Sequence, residues 1–290
     1  MRNGLQISYR LVVSATLFSL SGIAHAAEPV AMVTDAKGGI FRLLDGKQEA
    51  LSLLSYMESG QSVNLESGAK ISITFFTKPQ ELTLTGPAKL TIEADGVKVA
   101  EGKPAQTRKL AQGKADTARK FTVAQQERVA QASFEMRSAK PINLREPIDT
   151  EVLKWTPGFV WGAPPQVQKF HLVLSDDQGK IVQDVVLNKS NWQFPAGATL
   201  KAGKSYQWKV DAALPSGESL AATGKFSTAD ASKSKEILSQ QPKAGAPFTD
   251  RLFYAMLLES ADLKVDARDE WRKLAAERPD MQDLQERANQ

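Results

Sequence analysis

Beyond its first 26 residues the chain contains no cysteine and a single histidine, His171, and this sets how it can hold itself together. Residues 1–26 read as a cleavable export signal. They have a basic start (Arg2, Arg10), an apolar run from Leu11 to Ile23, and then Ala24-His25-Ala26, which puts small residues where a signal peptidase cuts. Cleavage is expected between Ala26 and Ala27. The apolar run is shorter than the ~20 residues a membrane span needs, so no integral membrane segment is expected after cleavage. Without cysteine no lipid can be attached after the signal, and the expected location is the periplasm, as a free exported protein. That compartment permits disulfides, but this chain can form none, so its domains must be held by burial alone.

About 264 residues remain after cleavage, enough for one large domain or two to three small ones. A hydrophobic content of 42% with 24% charged residues is that of a globular chain with a buried core. Loss of Arg2 and Arg10 leaves 35 basic against 33 acidic residues, too small a surplus to suggest a nucleic-acid partner.

Three periodicities divide the chain. Over 27–102, Ile71, Ile73 and Phe75 alternate with Lys70, Ser72 and Thr74, the period of two that buries one face of a strand. Leu82 and Leu84, Leu90 and Ile92, and Val97 and Val99 repeat the pattern. Breaks fall at Gly68, Gly86-Pro87 and Asp95-Gly96, the last a tight-hairpin signal. The expectation is a compact β domain.

In the first half of 103–139 six basic residues (Lys103, Arg108, Lys109, Lys114, Arg119, Lys120) meet one acid, Asp116. Phe121, Val129, Ala132 and Met136 then recur at mostly helical spacing. This reads as a flexible basic linker running into a helix. The basic stretch is either a solvated linker or a contact for an anionic partner; no aromatic interleaves its charges as nucleic-acid grooves require.

Over 140–229 the β pattern returns with Trp155, Trp161, Trp192 and Trp208. Phe170, Leu172 and Leu174 share one face of a strand, Asp176 to Gly179 turn it, and Ile181 to Leu187 run back. Tyr206, Trp208 and Val210 alternate on a later strand, which points to a β-sandwich. Over 230–290 two amphipathic stripes follow: Leu252, Phe253, Met256 and Leu257, then Ala267, Trp271, Leu274 and Ala275, with Pro279 ending the second helix. Joined by a short turn, they predict an antiparallel helical hairpin.

The first β region resembles the periplasmic domain of the FecR family of signalling proteins. The residues that carry the likeness are Gly39-Ile40-Phe41-Arg42, Gly46, Gly60-Gln61-Ser62-Val63, Gly68 to Ile73, Leu84 to Ala88 and Asp95 to Val99. Pro157-x-Phe159-x-Trp161 and Leu200-x-x-Gly203-x-x-Tyr206-x-Trp208-x-Val210 resemble strand B and the tyrosine corner with strand F of a fibronectin type III or immunoglobulin-type module. Ala255, Ala267 and Pro279 make the last region similar to a single tetratricopeptide hairpin. These resemblances imply a mainly β protein: a FecR-like β domain, then a fibronectin III/Ig-like β-sandwich, then a C-terminal α-helical hairpin. Members of the FecR family that regulate a sigma factor carry a cytoplasmic segment and a membrane span. Here a cleavable signal stands in their place, which implies a periplasmic sensing or scaffolding module dependent on another envelope protein.

Little in the sequence points to catalysis. A Ser-His-Asp triad could draw only on His171, whose side chain should lie opposite Phe170, Leu172 and Leu174 on its strand. Gly217-Glu218-Ser219-Leu220-Ala221 resembles a nucleophile elbow but falls between two expected strands. No phosphate-cradling loop, zinc spacing or EF-hand occurs, and Asp176-Asp177 reads as a turn, so no cofactor or metal is expected. Two acids facing one cleft would allow glycoside hydrolysis. The expected function is a non-enzymatic protein-interaction or sensing module with an envelope protein partner. The alternative is a cell-wall or polysaccharide-binding module, for which Trp192, beside Phe194-Pro195 near a strand end, is the candidate exposed aromatic.

Overall fold

In the computed structural model residues 28–44, 46–111, 113–131 and 142–289 are described, the side chains of 123–131 excepted. The export signal with Ala26 and Ala27 lies outside these residues, as do Ala132 and Met136. The chain is mostly β, with helices gathered toward its C-terminus.

The first β region consists of two five-stranded antiparallel sheets. One runs in the order β10 (Gln106–Lys109), β7 (Gln80–Thr85), β6 (Lys70–Phe75), β1 (Ala31–Lys37), β4 (Tyr56–Met57). The other runs β3 (Lys47–Ala50), β2 (Ile40–Leu44), β5 (Ser62–Leu65), β8 (Ala88–Ile92), β9 (Val97–Glu101). Val33, Ile71, Ile73, Phe75, Leu82 and Leu84 of the first sheet share a core with Ile40, Val63, Leu65, Leu90 and Ile92 of the second. The opposite face of the first sheet is also buried, at Met32, Thr34, Ser72, Thr74 and Glu81. It lies under helices α1 (Lys114–Gln131) and α3 (Phe248–Ser260).

This arrangement corrects the expected basic linker. Gln106–Lys109 pairs with Gln80–Thr83 as an antiparallel edge strand, so the sheet continues past residue 102. Arg108 is engaged within the chain: its guanidinium donates to Glu81 Oε2 at 2.8 Å and to Asp250 Oδ1 at 3.0 Å. An edge strand without apolar alternation reads as loop, because its inward residue is held by charge and not by burial.

The second β region is a fibronectin III-like sandwich. Its small sheet is β11 (Asn143–Glu146), β13 (Gly158–Gly162), β16 (Asn191–Gln193). Its large sheet is β12 (Glu151–Val152), β18 (Ser219–Thr228), β17 (Ser205–Ala213), β14 (Phe170–Asp176), β15 (Ile181–Leu187), antiparallel except for the β12–β18 pair. Phe159 and Trp161 of β13 meet the large sheet edge-on: Phe159 lies 5.1 Å from Trp208 and 5.7 Å from Phe226, and Trp161 lies 5.4 Å from Phe170. Trp208 Nε1 donates to the Pro147 carbonyl at 2.7 Å. The Tyr206 hydroxyl accepts from the Lys201 amide at 2.9 Å, the corner bond the sequence pattern anticipated.

Four helices follow: α2 (Ala231–Ser239), α3, α4 (Lys264–Glu277) and α5 (Gln282–Asn289). Asp230 opens α2 by accepting from the Lys233 amide at 2.8 Å, a side-chain N-cap. The α3–α4 pair forms the expected hairpin around Trp271, whose Nε1 donates to Glu259 Oε2 at 2.9 Å. The hairpin is not an isolated tail. α5 packs on α4 and α1 on α3, and the core they share, with Phe121 of α1, takes in Met32, Leu53, Leu54 and Leu110 from the first β region and Leu153 from the sandwich. Among the described residues no helix is long and apolar enough to cross a membrane.

Candidate functional site

A groove of about 620 Å³ opens on the helical region, within the roughly 300–1,000 Å³ range of small-ligand sites. Its rim is the connection from Gln241 to Ala246, its floor is Phe248, Arg251 and Tyr254 of α3, and its far wall is Glu270, Lys273 and Glu277 of α4. The spacings 248, 251, 254 and 270, 273, 277 are helical, so each set projects from one face.

Contacts with the first β region and α1 fix one end of this hairpin, where α3 begins and α4 ends. At the start of α3, Thr249 Oγ1 donates to Glu81 Oε1 at 2.6 Å, and Asp250 receives Arg108 at 3.0 Å and Lys114 at 2.7 Å. Burial pushes the Asp250 carboxyl up, but the hydrogen bonds and charges of Lys114 and Arg108 outweigh it and hold it below the usual carboxylate range. At the end of α4, Arg278 donates to Asp35 Oδ1 at 2.7 Å and to the Ala36 carbonyl at 3.1 Å, while its guanidinium lies 5.6 Å from the centre of the Phe248 ring. The groove therefore sits on a braced hairpin.

The groove lining carries three cations, Lys243, Arg251 and Lys273, against two acids, Glu270 and Glu277. Arg251 pairs with Glu277 at 2.5 Å and Lys273 with Glu270 at 2.6 Å. Arg251 Nε is buried without a hydrogen-bond partner, and Lys243 on the rim has no ion-pair partner among the described residues. Tyr254 is almost fully buried. Its phenol is pushed up to about 12, first by burial and then by the charges of Glu270 and Asp266, so it stays protonated at neutral pH. The site offers donors, carboxylates and aromatic surface.

The residues singled out from sequence are not brought together here. Trp192 is 8% exposed, with its ring 5.4 Å from Phe159 and 4.8 Å from Phe194. It is core of the sandwich and presents no open face to a sugar, because the short strand β16 points it between the sheets. His171 faces solvent as its alternation required, 44% exposed at the side chain, with Nε2 2.6 Å from Asp184 Oδ1. Ser219 lies two strands away, about 9.5 Å laterally, and further displaced along the sheet, since His171 pairs with Asp211 and Asp211 with Ala221. Asp176 closes its turn by accepting from the Gln178 and Lys180 amides. Among the described residues no group of three or more His, Asp or Glu could hold a metal ion. The groove escaped sequence reading because residues 241–246 look like a simple break between helices.

No family model matches the chain, and no curated protein matches it. Among solved structures it is similar to a cell surface anchoring domain, at 15% identity over 23% of this chain and 88% of that one, with a TM-score of 0.22. It is similar to the fibronectin III domain of the human collagen alpha-1(XX) chain, at 20% identity over 39% of this chain and 94% of that one, with a TM-score of 0.26. A third likeness, to a Parabacteroides merdae β-glucuronidase, has 9% identity over 68% of this chain and 36% of that one, with a TM-score of 0.22. At these identities and TM-scores none of the three assigns a function, and the sandwich is known from its own strand order and aromatic core.

Proposed function

We propose that the protein is an exported, non-enzymatic protein-interaction or sensing module of the FecR type, working in the periplasm with a partner that spans the envelope. Export is supported by the pattern of residues 1–26. The FecR-type character is supported by the glycine and strand pattern between Gly39 and Val99, which falls on two packed antiparallel sheets. The observation that carries the interaction reading is the open groove on the braced hairpin, lined by Phe248, Arg251 and Tyr254 and rimmed by the uncommitted Lys243. The polysaccharide alternative relied on Trp192, which is buried.

Site-specific photo-crosslinking in intact cells tests the reading. A photoreactive residue at Lys243 should capture a membrane-spanning envelope protein, and one at Lys225, exposed on the outer face of the sandwich, should not. Capture lost on Arg251→Ala would tie the partner to the groove. Equal capture from both positions, or none from Lys243, would overturn it.

A further inference from the structure

We propose that the seam between the fibronectin III-like sandwich and the α3–α4 hairpin is a proton-operated latch, closed while the Asp266 carboxyl is protonated and released when it ionises. The device is separate from the groove and goes beyond the proposed function.

The seam is made mainly of polar contacts. The turn joining α3 to α4 lies against β12, where the Thr150 hydroxyl donates to the Asp262 carbonyl at 2.9 Å and accepts from the Lys264 amide at 3.1 Å. The Glu151 amide donates to the same carbonyl at 3.3 Å, and the Leu153 amide donates to Asp266 Oδ2 at 2.7 Å. Apolar packing across the seam is sparse. Among the described residues, Leu153 and Ala229 join the helical core from the sandwich side, and Val265 packs on the sandwich core from the helical side. Two bodies with their own cores and a polar contact of this kind are expected to move relative to each other.

One acid on the seam differs from the others. Glu151 has Lys233, and Glu146 has Arg268 and Arg272. Asp266 is 7% exposed, has no ion-pair partner among the described residues, and receives a neutral amide across the seam. The charges that bear on it are Lys154 on the sandwich side, which favours the anion, and Asp269 of α4, which disfavours it. From α3 it is faced by Tyr254, whose phenol is also under Glu270 and stays protonated. Burial outweighs the Leu153 bond and the Lys154 charge and raises the carboxyl to about 6. With the seam open, water reaches the carboxylate, and the first turn of α4 in which it sits favours negative charge. The open form therefore holds the proton only to about pH 4. Because the closed form binds the proton more tightly, raising the pH from 4 through 6 shifts the balance toward the open form. Two pH units of displacement limit that shift to about a hundredfold.

Native-state amide hydrogen exchange on the full mature chain tests the latch, each rate being divided by that of an unstructured peptide at the same pH. In the parent, protection of the Leu153, Glu151 and Lys264 amides should fall together, by at least about tenfold between pH 4.5 and 7.5. The amides of β17, inside the sandwich, should keep theirs and so report that the fold is intact. Asp266→Asn should flatten the profile of the three seam amides. Lys154→Met, an exposed substitution, should move the fall to higher pH by removing a charge that favours the anion. Loss of protection at Leu153 alone would mark a side-chain movement within a closed seam and overturn the proposal. Loss at β17 in step with the seam would do the same, since it reports unfolding. So would protection that is constant or rises with pH, or a profile that neither substitution moves.

Discussion

Asp266 Oδ2 accepts a hydrogen bond from the Leu153 amide at 2.7 Å, joining the first turn of α4 to the sandwich. Around it the same junction is sewn by Lys233 to Glu151, by Thr150 Oγ1 to the Asp262 carbonyl at 2.9 Å, and by Arg268 and Arg272 to Glu146. Among these groups Asp266 is the one whose protonation is strongly displaced. Burial raises its carboxyl to about 6, against the Leu153 bond and the Lys154 charge that favour the anion, and with Asp269 adding to the rise.

The displacement makes stability pH-dependent in a defined direction. The folded form holds its proton up to about pH 6 and the unfolded form only to about 4, so the stabilisation is complete below 4 and is lost as pH rises through 6. The shift corresponds to about 2–3 kcal/mol at most. Asp266→Asn, which keeps an acceptor for Leu153 without charge, should match the parent at pH 4 and exceed it by up to that amount at pH 7.5. Denaturant titrations at both pH values check this; a gap that is the same at both would show that Asp266 does not titrate as described.

The tryptophans of the sandwich supply a second expectation. Trp208 is fully buried and donates to Pro147, so Trp208→Ala should cost toward the upper end of the ~3–5 kcal/mol typical of emptying a large aromatic site. Trp192, packed on Phe159 and Phe194 near the edge of the small sheet, should cost about 3 kcal/mol. A loss under 1 kcal/mol for Trp192→Ala in urea titration would mean that the ring is exposed in solution.

How far the sequence could be read follows from what each element buries. The sandwich was legible because its strands bury one face each: Phe170, Leu172 and Leu174, or Tyr206, Trp208 and Val210, alternate with exposed residues. The Tyr206 corner was legible from spacing alone. Trp192 was not, since a three-residue strand is too short for alternation to declare a face. Strand β10 was missed for the opposite reason: it has no apolar residue to count, and its inward Arg108 is satisfied by Glu81 and Asp250, 27 and 142 positions away. The groove depends on contacts of the same kind. Thr249 to Glu81 and Arg278 to Asp35 span 168 and 243 positions, and no local pattern encodes them.

The turn between β7 and β8 contains a glycine with no room for a side chain. A Cβ on Gly86 would lie 1.9 Å from the Glu66 carbonyl oxygen, which is backbone and cannot swing aside. Gly86→Ala should therefore cost at least the 1–3 kcal/mol typical of overpacking, seen as a lower thermal midpoint. Gly96→Ala, where nothing lies within 4 Å of the added atom, is the control. Equal midpoints for the two variants would show that the turn relaxes freely.

The helical region is a structural part of the first β domain, and its removal tests that directly. Deleting residues 231–290 strips the cover from Met32, Thr34, Thr74 and Glu81 and leaves Arg108 without Asp250. It also removes Leu252, Met256 and Trp271 from the core that Phe121 and Leu54 share. Glu81 would keep Arg108 but lose Thr249 at 2.6 Å, on a sheet face newly open to water. The sandwich loses less, because its aromatic core is its own. The truncated chain should show selective loss: limited proteolysis should cleave within residues 28–131 early while a fragment spanning about 142–228 persists. If the first β domain instead stays as resistant as in the full chain, the helices are an appended module, and the bracing of the groove by Glu81 and Asp35 contributes nothing to stability.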